Sequence, residues 1–234
     1  MISVCIATYN GVSYIEEQLR SILSQLSEED EVVLSDDGST DDTLEVIRQF
    51  ADPRIRILPS RRFASPILNF EYTLSHAKGD IIFLADQDDI WMPDKVKRTL
   101  PSLERYDCVT SDCVVVDGDD QVIDKSFFNL NNTHRGKYYN LLVKNGYLGC
   151  CMAFRRCILD KALPFPADVP MHDIWLGNVS AFFYSTTFLD EPLIRFRRHD
   201  HNASPTAKKS SFSLCRRLQF RYNVLRGLIN RKSK

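Results

Sequence analysis

At 234 residues, with 44% hydrophobic and 26% charged side chains, the chain has the length and balance of one sizeable globular domain, which excludes a disordered or fibrous polypeptide. The formal net charge of −1 conceals a division: nine of the 30 Lys and Arg residues follow Pro205 and no acid does, so residues 1–204 carry −10 and the remainder +9. An acidic body argues against wrapping nucleic acid, whereas a basic tail suits an anionic lipid surface.

Ile2 to Thr8 is an apolar run of strand length, and Tyr9-Asn10-Gly11 is a turn signal. Ser13 is placed to cap a helix reaching about Ser24, with Ile15, Leu19, Ile22 and Leu23 at helical spacing. Glu31 to Ser35 reads as a second strand that runs into Asp36-Asp37-Gly38-Ser39-Thr40. Ser39 or Thr40 is placed to cap the next helix, which carries Leu44, Ile47 and Phe50 on one face. Ile55 to Leu58 is a short third strand, Pro66 to His76 a helix ended by Lys78-Gly79, and Ile81 to Leu84 a fourth strand. Strands alternating with helices predict an α/β fold whose mostly parallel sheet is covered on both faces, with right-handed crossovers.

After Trp91 a helix is expected to start at Met92-Pro93-Asp94. Cys108 to Asp117 and Gln121 to Asp124 flank Gly118-Asp119-Asp120 as a hairpin, and Ser126 to Gly136 reads as a mobile loop. Gly146 to Phe154 reads as a strand in which Gly149 lets something approach the backbone closely. A short helix from Arg156 to Leu163, a helix opening at Met171 with Asp173 near its N-terminus, and strands at Thr186–Leu189 and Leu193–Phe196 complete the body. The second half is therefore a smaller, antiparallel portion. In the tail, Leu214, Leu218, Tyr222, Leu225 and Ile229 recur at helical spacing among arginines, so Phe212 to Asn230 reads as a basic amphipathic helix. Such a helix lies on a membrane surface or packs against the acidic body.

Three polar clusters fall after predicted strands, where open α/β sheets bind ligands: Thr8-Tyr9-Asn10, Asp36 to Ser39, and Asp86-Gln87-Asp88-Asp89. The two adjacent acids of the second cluster exceed what a helix cap needs and suit recognition of a base or ribose. Carboxylates crowded as in the third repel one another unless a hard divalent cation sits among them. There is no Gly-x-Gly-x-x-Gly after the first strand and no Walker A lysine loop, which disfavours a nicotinamide enzyme and a P-loop ATPase. Seven cysteines, an odd number with no Cys-x-x-Cys pair, argue against a zinc site and for a reduced, cytoplasmic setting. MISVCIATYN lacks the basic start of a signal peptide, and no apolar run approaches membrane-spanning length.

Taken together, SVCIATYNG, SDDGSTDDT, NFEYTLSHAKGDIIFLADQDDIWMPDK, HDIWLG and RFRRHDHN, in that order, resemble family 2 glycosyltransferases of the GT-A fold, in particular rhamnosyltransferase-like members that build bacterial surface polysaccharides. The resemblance covers residues 2 to 202. It implies that Thr8, Tyr9 and Asn10 border the nucleotide site and that Asp36 or Asp37 contacts the base, the choice between them being open. Asp86-Gln87-Asp88 is similar to the DxD motif, which implies Mn²⁺ or Mg²⁺ held by Asp86 and Asp88. His199 matches a C-terminal histidine that reaches the metal or the diphosphate, and Arg198 pairs with phosphate. Asp173 falls where the family keeps its catalytic base. The residue before it is His172 rather than the usual Glu, which leaves the role of His172 open. Gly149, Cys150, His172 and Trp91 would line the acceptor side.

The resemblance further implies residues 1–204 as the transferase domain, with a nucleotide-sugar half (1–107) and an acceptor half (108–204), followed by the tail (205–234). The expected reaction is inverting transfer of one sugar, from dTDP-rhamnose or a UDP-hexose, to a hydroxyl of a glycan or lipid-linked acceptor. The QxxRW ending of processive synthases is absent. The expected location is the cytoplasm, with the tail at the inner face of the membrane; oligomer formation is compatible with the hairpin and tail. Two other readings fit the same architecture, a sugar nucleotidyltransferase and a non-catalytic sugar-nucleotide-binding module. The first lacks its Gly-rich, basic triphosphate loop between Thr8 and Ser13, and the second sits poorly with intact Asp86, Asp88 and Asp173.

Overall fold

The structure is a computed structural model and describes residues 1–199 and 212–232; Asp200, His201 and Asn202 of the last motif lie outside the described residues. In chain order the first half comprises β1 (Ile2–Thr8), α1 (Ile15–Leu23), β2 (Glu31–Asp36), α2 (Thr43–Gln49), β3 (Ile55–Ile57), α3 (Pro66–His76) and β4 (Ile81–Asp86). The second comprises β5 (Ile90–Trp91), α4 (Lys95–Leu103), β6 (Cys108–Asp117), β7 (Val122–Asp124), α5 (Phe127–Asn131), α6 (Lys137–Leu142), a 3₁₀ turn (Gly149–Cys151), β8 (Met152–Arg155), α7 (Ile158–Ala162), α8 (His172–Phe183), β9 (Thr186–Arg198) and α9 (Leu214–Lys232). One mixed sheet runs β3-β2-β1-β4-β8-β6-β9-β5, with β7 paired to β6.

β1, β2, β3 and β4 are parallel, and β8 turns the sheet antiparallel by pairing with both β4 and β6. The central strands are buried on both faces, which is why they read as unbroken apolar runs. Their side chains alternate between two cores. Val4, Ile6, Val32, Leu34 and Phe83 point to the side covered by α1, α2 and α4. Cys5, Val33, Ile82 and Leu84 point to the side of α3, α7, α8 and α9. Register then aligns the strand ends: Thr8 lies beside Asp36, and Ala7 beside Asp86. The GT-A arrangement expected from sequence, a mostly parallel sheet with helices and a C-terminal helix, is what forms.

Several local expectations are corrected. Ser13 does not cap α1, whose N-cap is Tyr14 without a side-chain bond, and neither Ser39 nor Thr40 caps α2. Asp41 accepts from the Thr43 N–H instead. Ile90-Trp91 is a strand paired antiparallel with Arg195 and Ile194, so α4 begins only at Lys95. The expected loop after Ser126 holds α5, because buried Asp112 accepts from Ser126 Oγ at 2.5 Å and from the Phe128 N–H at 2.9 Å. Gly146 to Phe154 is not one strand: a 3₁₀ turn at Gly149 precedes β8. The two expected final strands are one, β9, which carries Pro192 through a register shift opposite Asp112. Among the described residues no helix is long and apolar enough to cross a membrane.

Candidate active site

The carboxyl ends of β1, β2 and β4, the first turn of α3, the 3₁₀ turn and the N-terminus of α8 enclose one cleft. Thr8, Tyr9, Asp37, Asp86, Gln87, Asp88, Gly149, His172, Asp173 and Arg198 all line it. Sequence segments 165 residues apart thus meet, because parallel strands in register end on one edge and α8 packs against the same core.

On the first-strand side, Asp36 and Asp37 separate into two roles. Asp36 is buried and accepts from Thr8 Oγ1 at 3.0 Å and from the Gly38 and Ser39 N–H groups, so it braces the loop. Asp37 reaches the cleft and accepts from the backbone of Ala64 and Ser65, joining the segment before α3 to the end of β2. Asn10 does not line the cleft: its Oδ1 accepts from the Thr40 N–H at 2.8 Å, stitching two loops together. Gln87, between the two acids of the DxD-like motif, exchanges hydrogen bonds with the Tyr9 backbone at 2.9 and 3.0 Å. That clasp holds the β4 and β1 ends together.

The acids are crowded. Burial, then the neighbouring Asp88 and Asp173 charges, push Asp86 up to about 8. Asp89 is almost wholly buried and held well above the usual carboxylate range by burial and by Asp88 and Asp86. Its Oδ1 accepts from the Arg197 N–H at 2.9 Å, but its buried Oδ2 has no hydrogen-bond partner. Asp86, Asp89 and Cys150 offer ligand atoms within 4.8 Å of one another. Asp88 instead accepts from His199 Nε2 at 2.8 Å, and the His199 ring stacks on Tyr14. Arg198 lines the cleft too; burial lowers its pKa, against the pull of Asp88 and Asp89.

Across the cleft, Asp173 sits in the first turn of α8, where the helix dipole favours an anion. Burial raises its pKa to about 6, although hydrogen bonds from the Ile174 and Gly149 N–H groups oppose the rise. His172 is buried, stacks on Phe70 with ring centroids 3.9 Å apart, and has no partner on either ring nitrogen. Burial drives its pKa down to about 3, so the ring is neutral. Gly149 is required here, since a Cβ would lie 2.8 Å from His172 Nε2.

Two acceptor-side expectations are corrected. Trp91 is 3% exposed and packs on Phe83 and Lys95 in the core rather than in the cleft, because its strand pairs with β9 beneath the site. Cys150 is buried behind Asp86 and Asp89 and does not line the cleft. Sequence reasoning passed over Asn69 and Phe70, which line it from α3; Asn69 Nδ2 donates to the Thr8 and Ser35 carbonyls. A polar Asn in the first turn of an otherwise apolar helix face was the available signal. It also passed over Lys95, a fully buried lysine whose pKa is lowered by burial and which lies 5.1 Å from the Trp91 ring centroid.

Residues 3–163 match the family described as Glycosyl transferase family 2. The chain is 29% identical over 212 residues to dTDP-rhamnosyl transferase RfbG of Shigella flexneri, covering 84% of this chain and 72% of that one. It is 26% identical over 198 residues to UDP-Glc:alpha-D-GlcNAc-diphosphoundecaprenol beta-1,3-glucosyltransferase WfgD of Escherichia coli, covering 77% and 72%. Among solved structures it is similar to S. aureus TarS 1-349 in complex with UDP-GlcNAc, with a TM-score of 0.72 and 19% identity, covering 98% of this chain and 66% of that one. At that identity the likeness is one of fold.

Proposed function

This chain belongs to glycosyl transferase family 2, and on that premise we propose that it moves one sugar, with inversion, from a nucleotide-sugar donor to a hydroxyl of a glycan or lipid-linked acceptor in the assembly of a bacterial surface polysaccharide. One observation carries this reading: Asp86, Asp88 and Asp173 face a single cleft at the strand ends. RfbG and WfgD, by their names, use a dTDP-rhamnosyl and a UDP-Glc donor, so the relatives bracket the donor as a nucleotide-linked hexose or deoxyhexose. WfgD's diphosphoundecaprenol acceptor supports a lipid-linked acceptor here, reached at the inner face of the cytoplasmic membrane.

The donor's base and ribose are assigned to the space between Thr8, Tyr9 and Asp37, and its diphosphate to Arg198 and His199. A divalent cation fits the acids: Asp86 and Asp89 offer oxygens within 4.8 Å of one another, burial and then the Asp88 and Asp173 charges raise Asp86, and Asp89 Oδ2 lacks a partner. Asp86 and Asp88 would hold Mn²⁺ or Mg²⁺, with His199 beside them, and the ion would supply Lewis-acid neutralisation of the departing diphosphate. Asp173 acts as general base. Its pKa of about 6 leaves it ionised at neutral pH yet basic enough to draw the proton from an attacking sugar hydroxyl. A single displacement needs only this one carboxylate, so the product is inverted. Arg198 neutralises phosphate charge, and the neutral His172 ring walls the acceptor side without competing for the proton.

The test is a thermal-shift panel of UDP-, dTDP- and GDP-sugars with Mn²⁺, followed by transfer assays with whichever donor binds. A donor at 100 times its Kd stabilises the protein by about 2.7 kcal/mol. Failure of every nucleotide-sugar to stabilise it would overturn the reading.

A further inference from the structure

Five apolar residues of the tail helix share a face that would ordinarily be buried, yet it is the exposed one. α9 packs on the body through Asn223, Val224, Gly227 and Leu228. At about 100° per residue these lie on the side of the helix away from Leu214, Leu218, Tyr222, Leu225 and Ile229, which share an arc of about 80°. Those five are between 38% and 66% exposed. The helix carries Arg216, Arg217, Arg221, Arg226, Arg231 and Lys232 and no acid. At the edge of the arc, Arg221 donates to the Val143 carbonyl just past α6, where Leu142 and Val143 are also about half exposed.

We propose that the outer face of α9, continued by the end of α6, is a docking platform for an anionic lipid surface. The occupant follows from charge: an apolar stripe on a helix that carries six basic residues and no acid matches acyl chains beneath anionic headgroups, each basic residue near such a surface adding about 1 kcal/mol. The helix therefore packs on the body and presents a membrane face at once. Its inner side is locked: a Cβ on Gly227 would lie 2.7 Å from Trp175 Cζ3, Asn223 Nδ2 donates to the Asp168 carbonyl, and Arg226 pairs with Asp168. Trp175 is two residues beyond Asp173 on α8. The platform and the general base thus sit on opposite sides of one helix, so contact with lipid would hold the cleft at a fixed orientation to the membrane. This deepens the reading of a lipid-linked acceptor and rests on it for its purpose.

The experiment is co-sedimentation of the full chain with phosphatidylcholine vesicles, with and without phosphatidylglycerol. The chain is expected to bind only the phosphatidylglycerol-containing vesicles. The double variant Leu218→Asp/Ile229→Asp should lower partitioning on the order of tenfold or more, and Leu142→Asp should lower it less. All three side chains are exposed, so thermal midpoints and donor-induced shifts should match the parent. Binding by the double variant equal to the parent, or equal binding to both vesicle types, would overturn the proposal. So would a dimer that the double variant dissociates, since the face would then belong to a second copy. Vesicle binding without any nucleotide-sugar binding would leave the platform standing and remove the catalytic reading.

Discussion

The Gly149 N–H donates to Asp173 Oδ2 at 3.3 Å, tying the turn before β8 to the first turn of α8. Through this bond the backbone of the turn sets the position of the candidate base beside it.

Gly149→Ala follows directly from that contact. The added Cβ would press on His172 Nε2 at 2.8 Å, and the His172 ring is already held by stacking on Phe70. Transfer should fall roughly 10- to 100-fold through displacement of Asp173, with a stability cost of about 1–3 kcal/mol. Comparison of kcat with the thermal midpoint checks this; unchanged kcat would show that the turn does not position the base.

Asp173 should govern the acid limb of the pH profile. A base works deprotonated, so activity should fall as pH drops through about 6, the value to which burial raises this carboxyl. Asp173→Asn should lower kcat by roughly 10²–10⁴-fold at neutral pH while the donor's Kd holds. A variant that keeps full activity would remove the residue from the mechanism.

Asp86 predicts a stability trend of the opposite sense to an ordinary paired carboxylate. Its folded pKa of about 8 stands above the unfolded value near 4, so the native state binds the extra proton. The destabilisation it causes is absent below about pH 4, grows between about 4 and 8, and is complete above. In buffer with EDTA, Asp86→Asn should therefore raise the melting temperature at pH 8.5 by a few degrees and leave it unchanged at pH 4. Equal shifts at both values would refute a charge-based origin.

His199 should matter to the cation more than to the fold. His199→Phe keeps the ring on Tyr14 and removes the donor to Asp88. The Mn²⁺ concentration needed for half-maximal donor binding should rise on the order of 10- to 100-fold, with little change in melting temperature, and His199→Gln should recover part of the loss. Identical Mn²⁺ dependence in the parent and the Phe variant would count against the assignment.

Much of the fold was legible because its determinants are local. β1, β6 and α3 were readable to the residue, since strand-forming composition bounded by turn residues and a proline opening a helical pattern are signals carried by neighbours along the chain. α5 was not, because what orders it is Asp112 on another element. β9 was read as two strands because Pro192 interrupts the pattern, yet pairing along β6 carries the chain through the irregularity. The resemblance put Trp91 on the acceptor side, and only pairing with Ile194 turns it into the core.

The sequence by itself determined the alternation of strand and helix, the polar clusters after β1, β2 and β4, and the presence of Asp173 at a helix start, since periodicity and residue chemistry are properties of neighbours along the chain. Only the tertiary structure decided that Asp37 and not Asp36 reaches the cleft, that Asp173 faces Asp86 across it, and which side of α9 is covered. Those outcomes depend on sheet register and on how much surface each packing partner can cover. A helix with two apolar faces does not announce which of them its neighbours will take.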